Sequence, residues 1–380
     1  MINRERIVET FKWLVSMDSV SREEGALCRA VEELLKAMGA EVIIDSAAEM
    51  TGSDSGNLIA KFSGTTNAPS MMLNAHLDTV EPGRGIRPIF KDGVFTSSGD
   101  TILGADDKSA IAILLEAIRV VQENNLPHGP IELVLTVCEE VGLLGAKHLE
   151  YERIDSKFGY TLDTTKTGVI VTRAPALNLI EIKVHGKDAH AGIAPEKGIN
   201  AICLAAEALS QLDIGRIDSE TTCNIGVIEG GYATNIVPSL VTLKGEVRSH
   251  DIEKLQTVTD TIQSAFEKAV ADHSSGKDTA GTPAFEFLAI RDFSNTNIPE
   301  DHPVVDLVGR AAKNLGRKMK CETTGGGADA NIFFEKGIVT GVIGTGMQDM
   351  HTIRESVRLD DLVKTTELVL EIIRLHGEGE

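Results

Sequence analysis

The 380-residue chain carries 37 Lys and Arg residues against 57 Asp and Glu residues, a formal net charge of −20. This charge disfavours nucleic acid and anionic membrane surfaces as partners, because their phosphate groups would repel it. A hydrophobic fraction of 42% and a charged fraction of 25% are typical of a globular protein rather than a disordered one, and the length favours two domains.

The N-terminal segment, residues 1–19, is charged throughout and lacks the continuous apolar region of a signal peptide. No later window supplies the roughly 18 uninterrupted apolar residues of a membrane span. The five cysteines are widely scattered and form no C-x-x-C pair: Cys28, Cys138, Cys203, Cys223 and Cys321. We therefore expect reduced thiols, a cytoplasmic location and no membrane association.

Helices and short apolar strands alternate from the N-terminus onward. Ser21 and Glu24 have the spacing of a capping box, which predicts a helix that Gly39 ends. Apolar runs then predict strands at 40–45, 57–63, 70–76 and 131–137, with an amphipathic helix at about 108–121 before the last of them. This alternation predicts an α/β layer with a largely parallel sheet.

The pattern changes after about residue 176. Strands at 177–186, 222–231, 240–250 and 283–293 surround helices near 197–212 and from 252 onward, which predicts a smaller α+β domain over 177–292. Alternation resumes beyond Pro299 and ends with a helix at 359–377. We therefore expect one domain built from 1–176 and 293–380, interrupted by the insert.

Polar residues follow the predicted strands of the larger domain. His76 and Asp78 end an apolar strand and face the same side, because side chains in a strand alternate. Glu139 and Glu140 follow the next strand, and Asp163 ends another. Binding sites in open α/β sheets gather at the carboxyl ends of strands, although each residue alone also has an ordinary structural explanation.

Two more candidates lie outside strands. Asp106 and Asp107 begin the helix at about 108, where an Asp is commonly only an N-cap. His351 lies in a loop near the C-terminus. Histidine and carboxylate ligands without thiolate suit zinc, cobalt or manganese. The candidate ligands are too many for one four-coordinate zinc, so a carboxylate shared by two ions fits better: His76, Asp106, Glu140, Asp163 and His351.

Seven segments in this order resemble the co-catalytic di-zinc exopeptidase family of peptidase T, carboxypeptidase G and aminoacylase, above all its peptidase T-like branch. They are NAHLDTVEPG, GADDKSAIAILLEA, CEEVGLLGA, LDTTKTG, HAGIAPEKGINA, GGYATNIVP and GMQDMHTIRE. The resemblance covers nearly the whole chain. It implies an α/β/α zinc-exopeptidase catalytic domain, with the insert as a lid that also serves for homodimerisation.

The resemblance also implies residue roles. His76 and Asp163 would bind one zinc, Glu140 and His351 the other, and Asp106 would bridge them through a cis Asp106–Asp107 peptide. Asp78 would orient His76. Glu139 would be the general base that takes a proton from a metal-bridging water and returns it to the leaving amine.

For the insert, the resemblance implies contacts with substrate. His190 would stabilise the tetrahedral oxyanion. Asn235 and Arg248 would anchor a short peptide, with the Arg fork suited to its carboxylate, and the Gly-rich turn around Gly326 would offer backbone N–H groups.

We therefore predict a zinc metallopeptidase that hydrolyses the N-terminal bond of short peptides, like a tripeptide aminopeptidase. An N-acyl-amino-acid amidohydrolase and a carboxypeptidase-type exopeptidase remain open, because all three use the same di-metal chemistry. A dinucleotide-dependent oxidoreductase is disfavoured, since the early strand is not followed by the G-x-G-x-x-G fingerprint.

Overall fold

The computed structural model describes residues 2–274 and 282–379, and the chain divides into two compact units. The first unit comprises Met1–Arg173, Asn297–Thr323 and Ala328–Glu380, and the second comprises Ala174–Thr296 and Thr324–Gly327. The chain passes from the first unit to the second after Arg173 and returns after Thr296. Both positions lie within a few residues of the predicted boundaries, after 176 and after 292.

The segment 324–327 departs from the prediction, which groups all of 293–380 with the first domain. His250 Nε2 lies 2.8 Å from the carbonyl oxygen of Thr324, and Arg248 donates to that of Gly325 at 3.3 Å. Gly327 lies so close to Phe293 that a Cβ would come within 2.3 Å of its ring. These contacts join the Gly-rich turn to the second unit.

The helices of the described residues are α1 (Arg4–Val15), α2 (Gly25–Ala37), α3 (Ala48–Thr51), α4 (Ala105–Glu123), α5 (Leu144–Lys147), α6 (Ala201–Leu209), α7 (Ile252–Ser274), α8 (Pro303–Asn314), α9 (Asp329–Glu335) and α10 (Leu359–Glu378).

The strands of the described residues are β1 (Glu41–Ile44), β2 (Leu58–Phe62), β3 (Met71–His76), β4 (Pro88–Lys91), β5 (Val94–Ser97), β6 (Ile131–Thr136), β7 (Phe158–Thr161), β8 (Val169–Ala174), β9 (Ala176–His185), β10 (Gly215–Arg216), β11 (Thr221–Gly230), β12 (Leu240–Ser249), β13 (Ala284–Phe293), β14 (Thr296–Asn297), β15 (Lys320–Thr323), β16 (Val339–Ile343) and β17 (Ser356–Arg358).

Nine strands of the described residues form the main sheet, in the order β1-β2-β6-β3-β7-β16-β8-β14 with β15 also paired to β8. The central strands β6, β3, β7 and β16 run parallel, whereas β1, β2 and β8 pair antiparallel. β3 and β6 are buried along their whole length, which explains their nearly continuous apolar sequences. The predicted α/β fold with a mainly parallel sheet is confirmed.

The parallel strands bring the candidate residues to one edge of the sheet. β3 ends at His76, β6 ends at Thr136 and β7 ends at Thr161, so the segments that follow all leave the same side. Helix α4 packs on β3 and on the helices α1 and α10. It is buried along nearly its whole length, and its first residues lie beside the strand ends.

The capping box predicted for α2 is wrong. The helix begins at Gly25, whose N–H donates to Asp54 Oδ1 at 2.7 Å rather than to Ser21 or Glu24. Ser21 instead donates its hydroxyl to Asp78 Oδ2 at 2.7 Å, and Glu24 is buried with its carboxylate turned toward Ser53 and Cys138. Gly39 follows the helix with φ +84°, as the predicted C′ stop requires.

The second unit contains, among the described residues, a five-stranded antiparallel sheet in the order β10-β11-β12-β9-β13. Helices α6 and α7 pack on this sheet. Alternating residues of β9 and β12, such as Val184 and Leu243, meet Phe266 of α7 in a separate apolar core. This is the α+β arrangement that the sequence predicts.

Across residues 2–274 and 282–379, none of the helices combines the length and the apolar character needed to cross a lipid bilayer.

Candidate metal centre

Asp106 is the centre of a buried cluster at the carboxyl edge of the main sheet. Its Oδ1 lies 3.1 Å from His76 Nε2, and its Oδ2 lies 3.2 Å from His351 Nε2. One carboxylate therefore meets two imidazoles with different oxygens. This is the geometry expected of a ligand shared by two ions.

The alternative reading of Asp106 as a helix cap does not hold. Asp106 has φ −84° and ψ 101°, outside the helical region, and its carboxylate oxygens face His76 and His351. The Asp106–Asp107 peptide is cis, as the resemblance implies.

Glu140 and His351 extend the cluster. His351 has φ +60° in the loop before β17, and its Nε2 lies 3.0 Å from Glu140 Oε1. His76, Asp106, His351 and Glu140 thus form one continuous chain of close polar contacts. The cluster contains four of the five predicted ligands, from segments spread over more than 270 residues of sequence.

Asp163, the fifth predicted ligand, also lies close to Asp106. Carboxylate oxygens of Asp106, Asp107 and Asp163 fall within 4.8 Å of one another, as do ligand atoms of His76, Asp106 and Glu140. Asp107 is an addition to the predicted set. Its Oδ2 accepts the backbone N–H of His76 at 3.3 Å, and its buried Oδ1 has no hydrogen-bond partner within residues 2–274 and 282–379.

The cluster holds more buried negative charge than its histidines offset. Burial raises the pKa of Asp163 to about 8, and the Asp106 carboxylate adds to that shift. Burial also raises the pKa of Glu139 well above its ordinary range. Hydrogen bonds to Asp106 and Glu140 raise the pKa of His351 to about 10. Such shifts show that the group needs positive charge, which protons or a cation can supply.

The donor set fits a divalent cation. The two groups of ligand atoms contain imidazole nitrogens and carboxylate oxygens, with no thiolate. Zinc, cobalt and manganese accept such ligands, and Asp107 Oδ1, which meets no donor in the part of the chain that the structure describes, is a further acceptor.

Asp78 holds the Glu139–Glu140 dipeptide in place. Its Oδ1 accepts the N–H of Glu139 at 2.9 Å, and its Oδ2 accepts the N–H of Glu140 at 3.2 Å. The same carboxylate lies 3.4 Å from His76 Nδ1. Asp78 therefore contacts both the predicted base and a predicted ligand, although the sequence indicates only the second contact.

Three further buried carboxylates near the cluster escape sequence analysis. Glu24 accepts the N–H of Cys138 at 2.9 Å, and Asp329 accepts the hydroxyl of Thr136. Glu355 accepts backbone N–H groups from the segment before α4. Glu355 follows His351 by four residues, but nothing in the sequence distinguishes it from an exposed loop residue.

The predicted substrate contacts all belong to the second unit. His190 is exposed, and its Nδ1 accepts the N–H of Gly192 at 3.2 Å, so the ring proton lies on Nε2. Asn235 is exposed in a turn, and Gly326 lies in the segment 324–327. The Arg248 guanidinium is engaged by Glu246, at 2.8 Å from Nε and 3.2 Å from Nη2.

Residues 178–274 match the peptidase dimerisation domain of the M20 family, and residues 57–170 match peptidase family M28. The structure resembles that of the aminopeptidase PepT from Bacillus cereus, with 41% identity, a TM-score of 0.90 and 99% of each chain covered. It resembles a tripeptidase from Staphylococcus aureus with 37% identity, a TM-score of 0.94 and 100% of each chain covered. The uncharacterized protein YqjE of Bacillus subtilis is 39% identical over 98% of this chain and 99% of its own.

The shared position of Asp106 predicts a distinctive metal dependence. Protein purified without chelator should carry close to two divalent ions per chain, as expected for a carboxylate-bridged pair. Asp106→Ala should lose both ions, because each imidazole loses its common carboxylate, whereas Glu140→Gln should retain one. Elemental analysis of the purified variants measures these contents.

Asp45 is a suitable control because it is also buried and accepts the N–H groups of Ala47 and Asn57 outside the cluster. Asp45→Ala should retain both ions. One tightly bound ion in the native protein, with no second site on zinc titration, would contradict the shared position of Asp106.

Proposed function

The chain belongs to the peptidase T-like branch of the M20 metallopeptidases, and we propose that it removes the N-terminal residue from short peptides as a tripeptide aminopeptidase. The observation that carries this proposal is Asp106, whose two oxygens meet His76 and His351 separately. Similarity over the whole chain to an aminopeptidase and a tripeptidase supports this activity over the amidohydrolase and carboxypeptidase alternatives.

We propose two divalent ions per chain, with zinc as the first expectation and cobalt or manganese as alternatives. His76 and Asp163 would hold one ion, Glu140 and His351 the other, and Asp106 both. Bound ions of this kind polarise the scissile carbonyl and lower the pKa of water.

Glu139 is proposed as the general base. Its side chain is buried beside the cluster, and the contact of its amide with Asp78 fixes its backbone. The carboxylate would take the proton from the attacking water and deliver it to the nitrogen of the leaving amine. Asp78 would hold both His76 and the Glu139–Glu140 dipeptide in the positions that this transfer needs.

The second unit is proposed to serve substrate binding and homodimerisation. The Nε2–H of His190 is available to donate to an oxyanion, while Asn235, Arg248 and the Gly326 turn would contact the peptide. The match to a peptidase dimerisation domain supports a homodimer, as do the exposed Leu288 and Ile290 of the edge strand β13. A monomer in light scattering would contradict the homodimer.

A cytoplasmic location is proposed because all five cysteines are free thiols. Recovery of the native protein outside the cytoplasm on cell fractionation would contradict this location.

A panel of di-, tri- and tetrapeptides, with free or acetylated amino termini and free or amidated carboxyl termini, tests the activity. We expect release of the N-terminal residue from tripeptides with a free amino terminus, and little turnover when that terminus is acetylated. Preferred cleavage of acetylated substrates would indicate the amidohydrolase. Release of the C-terminal residue would indicate the carboxypeptidase.

Substitution of the two adjacent glutamates should show that they have different functions. Glu139→Gln should retain the fold and both ions, because the amide has nearly the shape of the carboxylate but cannot accept the proton. Its turnover should fall by about 10²–10⁴ or more. Glu140→Gln should instead weaken one ion, so that added zinc or cobalt partly restores activity.

Activity and bound metal across a zinc titration distinguish these outcomes. Glu140→Gln serves as the matched control, since both variants lose one charge at neighbouring positions. A metal-depleted Glu139→Gln that zinc restores, beside a metal-replete Glu140→Gln, would reverse the two roles.

The second unit supplies a separate prediction. His190→Ala should lower kcat by about 10²–10³ with unchanged metal content, a loss typical of one oxyanion donor. Arg248→Ala should mainly raise KM, as loss of ground-state anchoring does. Glu246→Ala is the control for Arg248, because it removes the partner but leaves the guanidinium free to bind a substrate carboxylate. Equal effects of Arg248→Ala and Glu246→Ala on KM would mean that Arg248 has only a structural role.

A further inference from the structure

Glu355 is a buried carboxylate that has no part in the proposed reaction. Its Oε2 accepts the N–H groups of Leu103 at 2.8 Å and Gly104 at 2.7 Å, and its Oε1 accepts that of Asp106 at 2.9 Å. Both oxygens are therefore directed at the short segment that ends in the candidate bridging residue.

The segment that holds these three donors has an irregular backbone. Gly104 has φ +72°, and Asp106 lies outside the helical region although α4 begins beside it. Backbone N–H groups in such irregular, buried segments need an acceptor from elsewhere in the chain. Glu355 supplies that acceptor from a position nearly 250 residues later in the sequence.

The loop that carries Glu355 also carries His351. Gln348 and Ser356 pair through two backbone hydrogen bonds of 2.8 and 3.1 Å, which close the loop at its base. Within it, Glu355 donates its N–H to the carbonyl of Thr352 at 3.0 Å. The loop then enters β17, which pairs with β5, so Glu355 is held next to a regular strand.

Two independent links thus join the same two segments. One is the contact between His351 Nε2 and Asp106 Oδ2, at 3.2 Å. The other is the set of hydrogen bonds from the 103–106 backbone to Glu355. The first link would be replaced when ions enter, whereas the second would persist and keep the two ligands at a fixed spacing.

We propose that Glu355 is a positioning residue, which holds the backbone of Asp106 so that its two oxygens stay divided between the two ion positions. The inference rests on the proposed di-metal function. Residues that hold metal ligands in place by hydrogen bonds, without touching the metal, typically change metal affinity by about 10–100-fold. We expect metal affinity to fall by this factor when Glu355 no longer offers two acceptor oxygens.

Glu355→Gln is the direct test. The amide keeps the size of the side chain, but it offers one acceptor oxygen, and its NH₂ group meets a backbone N–H donor. After removal of metal by chelator, titration with zinc should show affinity weakened about 10–100-fold for the shared pair. The visible absorption of the cobalt-loaded variant should also differ from that of the native protein, because ligand geometry changes.

Glu355→Asp provides the conservative variant. It keeps two acceptor oxygens on a shorter side chain, so part of the zinc affinity should return. This variant also carries the test if circular dichroism shows that metal-free Glu355→Gln does not fold.

Glu132→Gln is the matched control. Glu132 is also buried and also accepts backbone N–H groups, from Asp155 at 3.1 Å and Ser156 at 2.8 Å. It lies near the start of β6, away from the strand ends that form the cluster. Its loss should lower thermal stability while leaving zinc affinity and the cobalt spectrum native.

The outcomes separate the two proposals. Native zinc affinity and a native cobalt spectrum in Glu355→Gln would overturn the positioning role, as would equal losses of affinity in Glu132→Gln. A native protein that binds no pair of ions would instead overturn the proposed function.

Discussion

The first unit is organised around the need to keep several carboxylates buried at one edge of a sheet. An isolated ionised carboxylate out of water costs far more free energy than a whole domain has in reserve, about 5–15 kcal/mol. Asp106, Asp107 and Glu139 are nevertheless buried, and the half-buried Asp163 lies close to the first two. Their burial is tolerable only where hydrogen-bond donors, imidazoles or cations face each of them.

The carboxylates of this region divide into two kinds by what faces them. Asp78, Glu24 and Glu355 accept backbone N–H groups, so each has hydrogen-bond donors from the protein itself. Asp106 and Glu140 face imidazoles that would themselves be ligands, and Asp163 faces other carboxylates. The first kind fixes the backbone, and the second kind is left needing a cation. This division distinguishes the proposed supporting residues from the proposed ligands by their contacts alone.

The sequence predicts the fold well because the fold depends on local pattern, and the same pattern indicates which polar residues the fold brings together. Apolar runs that alternate with helices predict the parallel sheet, and strands that end on His76 or before Glu139 meet at one edge by geometry alone. The supporting carboxylates escape prediction because their partners are backbone groups of distant segments. Glu24 has the spacing of a helix cap, yet it holds the amide of Cys138, which lies 114 residues later in the sequence.

The paired acids show most clearly what the fold adds. In each of the doublets Asp106–Asp107 and Glu139–Glu140, the two neighbours are chemically alike, and spacing alone does not separate them. In the folded chain Asp106 meets both imidazoles, while Asp107 accepts the backbone N–H of His76. Likewise Glu140 contacts His351 at 3.0 Å, which leaves Glu139 as the member of its pair without an imidazole at ion-pair distance among the described residues. A buried carboxylate beside the cluster that is not paired with an imidazole fits the role of proton acceptor proposed for Glu139.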